Sequence, residues 1–249
     1  MDYLQKLIAD IEIQSIEGIK TCFSNGIDPN GIHNNKPLIY ELINEYPRGP
    51  KFKACVKAFI EHGLVMDDEI LLAVLSDNAG LLDKQLTQQP AAIHNKYSFN
   101  CTFTPLFEAS LLHICAEYNH TNCARILLKH GADINARAGT DAWGLGAQSP
   151  IFHTVNQHNN YSLEMLEFLL AQGADPLLTV KGLIWGKGYS WETFVPSVNP
   201  ISYAMMGLLR QFQRREEWIY PNVNKLMKAA YGIDYTHTNI PNAYLEGKW

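Results

Sequence analysis

One stretch of this chain leaves little freedom about its fold. Residues 110–135 read SLLHICAEYNHTNCARILLKHGADIN. An apolar helical run is followed by a polar turn at Asn119-His120. A second helix then closes on Ile126-Leu127-Leu128, and Gly131 supplies the left-handed residue that stops it. A hairpin of two short helices, each with one apolar stripe, cannot bury both stripes by itself. It needs neighbours of the same kind.

Those neighbours are legible on both sides. Downstream, Ser149-Pro150-Ile151-Phe152 opens a copy that closes with Phe168-Leu169-Leu170 and Gly173-Ala174-Asp175. Upstream, Lys36-Pro37-Leu38-Ile39-Tyr40 opens another that ends at Gly63, and Gly26-Ile27-Asp28-Pro29-Asn30 closes a first unit. Residues 67–92 hold two apolar helices, over 70–75 and 81–86, and Asn199-Pro200-Ile201 opens a last unit that ends near Gly232. Ser110, Leu112 and His113 stand where the ankyrin repeat writes its T-P-L-H opening, Cys115 and Ala116 at its small positions, and 131–135 at its closing turn. The chain therefore resembles an ankyrin-repeat protein. The resemblance implies an all-α solenoid of about six helix-turn-helix repeats, a single domain over 1–249, with units near 1–35, 36–66, 67–109, 110–148, 149–198 and 199–249.

The pattern predicts small residues where first helices press together, at Ala73, Cys115, Ala116 and Ala204. The five cysteines form no C-x-x-C pair. Cys22, Cys55, Cys115 and Cys123 read as reduced packing residues, and Cys101, in a loop, as the reactive one. The start, MDYLQKLIADIEIQ, has no basic leader or apolar core, and no window approaches the roughly 20 apolar residues of a membrane span. The expectation is a soluble cytoplasmic protein with no membrane partner.

Chemical motifs are weak. His113, Cys115, His120, Cys123 and His130 offer five soft-metal ligands within 18 residues. The repeat register aims them apart, so neither a metal nor another cofactor is expected. No Gly-rich phosphate cradle stands in a β-α-β context. The net charge of −5 disfavours nucleic acid. Residues 1–179 hold 12 basic and 20 acidic side chains, whereas 180–249 hold 8 and 5, with Arg210, Arg214 and Arg215 the densest basic group. That group reads as a solvated helix end.

What distinguishes the chain is three enlarged connections between units. Residues 93–109 carry Tyr97, Phe99, Phe103 and Phe107; residues 136–148 carry Arg137, Asp141 and Trp143; residues 177–198 carry Trp185, Tyr189, Trp191, Glu192 and Phe194. Long connections are often functional, and Trp, Tyr and Arg dominate interface energetics. The expected function is a non-catalytic module, monomeric, that binds another protein. Its contact residues are Arg137, Asp141, Trp143, Trp185, Tyr189, Trp191 and Glu192. The competing structural role for the loop aromatics is a private core beneath each loop. Residues 183–209 resemble a stretch of a bacterial subgroup of ankyrin-repeat proteins, and the size resembles immunity proteins. That resemblance implies neutralisation of a toxin or effector, a basic one given the acidic first 179 residues. The alternatives are an enzyme or metal-dependent protein using Cys101, His113 or Glu192, and an oligomerising scaffold.

Overall fold

The computed structural model describes residues 2–45, 48–100, 104–190, 192–206 and 215–234. Its helices come in pairs: α1 (Tyr3–Glu12) with α2 (Ile16–Ser24), α3 (Ile39–Asn44) with α4 (Phe52–Glu61), α5 (Glu69–Leu75) with α6 (Ala79–Gln88), and α7 (Leu111–Tyr118) with α8 (Thr121–Lys129). Local chemistry sets the boundaries. The Asp2 carboxylate accepts the N–H groups of Leu4 and Gln5, Ser15 Oγ that of Gly18, Asp68 that of Leu71 and Asn78 that of Leu81, so each of these helices starts on a short polar side chain. Gly26, Gly63, Gly131 and Gly173 end α2, α4, α8 and α9 (Leu163–Ala171) with φ between +87° and +96°, where a Cβ would be strained.

The closing motif repeats its own hydrogen bond. Asp28, Asp133 and Asp175 each accept the N–H two residues on, at 2.8, 2.9 and 2.8 Å. Asn30 then reaches the next unit, donating to Gly63 O and accepting from Val65 N, and Asn135 accepts from Asp175 N.

Neighbouring pairs stack. α1 packs on α3 and α5 on α7, while α2 meets α4, α6 meets α8 and α8 meets α9. The last pair, α10 (Pro200–Met206) and α11 (Glu216–Tyr231), closes on α9 and the segment before it. One continuous apolar core runs from Leu7 to Leu226. Ala73, Cys115, Ala116 and Ala204 are all fully buried, because helices can approach closely only where side chains are small.

Two expectations need correction. The chain is helix-rich but not all-α: the described residues form three antiparallel strand pairs, β1–β2 (Ile32–His33, Lys36–Pro37), β3–β4 (Lys96–Phe99, Leu106–Ser110) and β5–β6 (Val180–Trp185, Thr193–Val198). Alternating aromatic and β-branched residues in the long connections favour extended backbone, and Asn34-Asn35, both at positive φ, make the tight turn of the first pair. The fifth unit does not open on an α-helix either. It has 3₁₀ turns at Pro150–Thr154 and His158–Asn160, the second broken by Asn159 at φ +53°. Pro150 starts the first, and β-branched Thr154 and Val155 are poor continuations of it. No helix among the described residues is long and apolar enough to cross a membrane.

Candidate functional site

The enlarged connections are tied together sideways. Gly139 N donates to Phe107 O on β4 (2.8 Å), and Gly146 N donates to Gly182 O on β5 (2.9 Å). Between these points the middle finger, 137–148, forms its own ladder through Ala138 N to Gln148 O and Ala147 N to Gly139 O, closed at its tip by Asp141 N to Leu145 O. The β3–β4 hairpin, the middle finger and the β5–β6 hairpin thus make one backbone-bonded ribbon across three units. Glycine makes the approach possible. A Cβ on Gly146, whose φ is +117°, would lie 2.5 Å from Gly139 O, and one on Gly139 would lie 2.7 Å from Glu108 Cβ.

Buried polar groups fasten the ribbon to the helices. His113 Nδ1 accepts from Ser110 N and Ser110 Oγ, and its Nε2–H donates to Gln148 O at 2.8 Å, so one imidazole holds the bases of two fingers. Burial, reinforced by the nearby His153, drives the His113 pKa well below the ordinary histidine value. Glu117 accepts from Arg48 Nε at 3.0 Å and from His153 Nδ1 at 2.7 Å, all three side chains being buried. Burial alone would raise the Glu117 pKa. The hydrogen bond from His153 and the Arg48 charge outweigh it and hold the carboxyl below its usual range.

Of the five soft ligands of 113–130, Cys115 is buried in the core and the other four bond to separate partners. His120 donates to Val74 O, Cys123 to Ala73 O, and His130 bonds Asp83. No group of three His, Cys, Asp or Glu among the described residues is placed to hold a metal ion. Burial pushes the Cys55 thiol up to about 11 and raises those of Cys115 and Cys123 as well, which keeps them protonated and unreactive. Cys101 lies outside the described residues.

The residues singled out from sequence have divergent placements. Trp143, 71% exposed, stands at the tip of the middle finger, where Asp141 accepts the N–H groups of Trp143 and Leu145 and so shapes the turn that presents it. Tyr189 is 53% exposed at the tip of the third finger, where Glu192 accepts from Gly188 N. Arg137 is exposed at the base of the middle finger and donates to Ala147 O. Trp185 is a correction to the contact set: at 4% exposure it belongs to the core, on the same face of β5–β6 as buried Leu183 and Val195. Trp191 lies outside the described residues.

On the described part of the ribbon two aromatics not among the expected contacts are on the surface, Phe107 at 45% and Phe194 at 53% exposure. The available signal was strand alternation: Phe194 falls on the opposite face from Val195, and its ring covers Gly182 across the strand pair. Beside the ribbon runs a groove of about 560 Å³, floored by Phe99, Leu106, Leu183 and Ile184. Its titratable lining groups among the described residues are Asp141, Lys187 and Tyr189. The floor is apolar and the rim polar, the layout of a binding cleft.

Residues 104–138, which span β4, α7, α8 and the start of the middle finger, match the family model of the ankyrin repeat. The chain carries an ankyrin repeat at the centre of its helical stack, and repeats of this family generally mediate protein–protein interaction and are typically non-enzymatic. No curated protein matches the chain.

Proposed function

We propose that the chain is a non-catalytic protein-interaction module, that its other helix pairs are diverged units of the same repeat, and that the partner docks on the finger ribbon and its groove. The observation that carries this reading is the state of the ribbon's side chains. Several surface lysines elsewhere are paired, as in Lys20–Glu61, Lys129–Asp83 and Lys225–Glu167. On the ribbon Glu108, Asp141, Lys187 and Glu192 make no ion pair among the described residues, and Lys96, Arg137 and Lys181 are spent on backbone carbonyls. Exposed Phe107, Trp143, Tyr189 and Phe194 stand among them. Aromatic anchors beside charged side chains that make no ion pair among the described residues, on a pre-tied scaffold, suit recognition with little ordering cost.

The test is capture of partners from the source cell by the intact protein and by a Phe107→Ala, Trp143→Ala, Phe194→Ala variant of unchanged circular dichroism. Loss of specific partners from the variant supports the reading; identical recovery overturns it. A toxin or effector neutralised by this protein is a second, narrower reading. The observation that favours a basic one is the excess of 20 acidic over 12 basic side chains in residues 1–179. Steep weakening of the captured complex between low and physiological salt is its expected signature.

A further inference from the structure

Resting on that reading, we infer that the groove receives an extended apolar segment of the partner flanked by acidic side chains. The 560 Å³ groove adjoins a second hollow of about 270 Å³, Asn44, Ser98, Phe99 and Asn100 lining both. The combined cleft runs from Lys36 and Tyr40, beside β2, to Lys187 and Tyr189 at the tip of the third finger. It therefore crosses the fingers of successive units, and a chain lying in it must be extended.

Charge decides what such a segment carries at its ends. Lys36 and Lys187 are exposed, and neither side chain has an ion pair or hydrogen bond among the described residues. The one carboxylate among the described lining residues, Asp141, accepts two backbone N–H groups of its own turn. The side chains at the two ends of the cleft, Lys36 and Lys187, are thus cationic and without an ion-pair partner among the described residues, over an apolar floor with amide walls from Asn44, Asn100 and Gln148. The carboxylate excess of the chain as a whole does not reverse this. At physiological salt a charge is screened over about 8 Å, so the lysines at the contact outweigh acids on distant helices. Acidic groups of the segment meet Lys36 and Lys187, and its apolar side chains cover Phe99, Leu106 and Ile184.

Fluorescence polarisation of two synthetic nonapeptides tests this. Both have a Leu-Val-Phe centre; one has aspartates at its ends and the other lysines. The full chain is expected to bind the aspartate-ended peptide roughly tenfold more tightly. The Lys36→Glu, Lys187→Glu double variant, two exposed positions whose change leaves the fold intact, is expected to reverse that preference. Binding of neither peptide, equal binding of both, or an unreversed preference in the double variant overturns the inference. So does equal displacement of a small apolar dye by both peptides. Partner capture separates the two levels. Capture lost with the aromatic variant but unchanged by the lysine reversal removes this inference and leaves the module reading standing, whereas capture indifferent to both removes the module reading.

Discussion

Asp77, at the turn between α5 and α6, accepts the backbone N–H of Cys123 at 3.1 Å, 46 residues further on, and so caps the helix of the next unit. Its other oxygen takes Asn122 Nδ2 and Lys53 Nζ. The same device recurs: Asn119 accepts Met165 N from the start of α9, and Asn160 accepts Asn222 Nδ2 from α11. All three turn residues hold positive φ, a conformation that Asn and Asp tolerate better than other non-glycine residues. One residue type thus turns the chain and binds the next layer.

Asp77→Ala is expected to lose about 2–4 kcal/mol, combining a lost cap with a strained φ of +54°. Asp77→Asn keeps an acceptor and the backbone preference, and is expected to cost less than about half as much. Urea unfolding of the two variants checks the order; equal losses would remove the cap from the explanation.

Acid should loosen the stack before it denatures exposed elements. Burial lowers the His120 pKa to about 4, and His113 is driven down for the same reason. The unfolded chain, with histidines near 6.5, binds protons that the folded chain refuses. Stability is therefore full above about pH 6.5 and falls as pH drops toward about 4, by on the order of 3 kcal/mol for His120 alone. Glu117, held low, adds a loss of the same sign at the acid end. Urea midpoints measured between pH 7.5 and 4.5 should decline continuously. A flat profile, or one unchanged by His120→Gln, would contradict this.

Much of this architecture was written in local sequence, because local chemistry makes it. Asp133 and Gly131 carry a turn and a helix stop within five residues, and Asp68 and Asn78 start helices on their own side chains. The ribbon was not legible for the opposite reason. Gly139 to Phe107 and Gly146 to Gly182 are backbone bonds between units, which no side chain announces except the glycines that permit them. Trp143 and Trp185 look alike in composition. Only the strand register, which puts Trp185 beside Leu183 and Val195, separates a core residue from a surface one. Nor does sequence distance reveal that Arg48 and Glu117 meet, 69 residues apart.

That buried pair makes a double-mutant test. Glu117→Gln takes the counter-charge from Arg48 inside the core and is expected to cost about 3–5 kcal/mol. Replacing both Arg48 and Glu117 by Met removes the desolvation penalty together with the attraction, so the double variant should be more stable than the single one. Additive losses in urea unfolding would mean that the contact contributes nothing of its own.

The ribbon can be opened without unstacking the helices. An alanine at Gly146 brings its Cβ within 2.5 Å of Gly139 O at a backbone φ of +117°, so the middle finger must shift and the Gly146 N to Gly182 O bond is lost. The helices beneath are held by Leu112, Ile114 and Leu127, all buried and remote from this clash. Hydrogen exchange at residues 146 and 147 is expected to accelerate by at least about tenfold, while far-ultraviolet circular dichroism keeps its helical amplitude. The Gly139 amide, bonded to Phe107, follows if the ribbon opens as a unit and stays protected if each finger is independent. Exchange unchanged at all three amides would mean that the fingers do not depend on this crossing, and the preorganisation assigned to the ribbon would have to come from the individual hairpins.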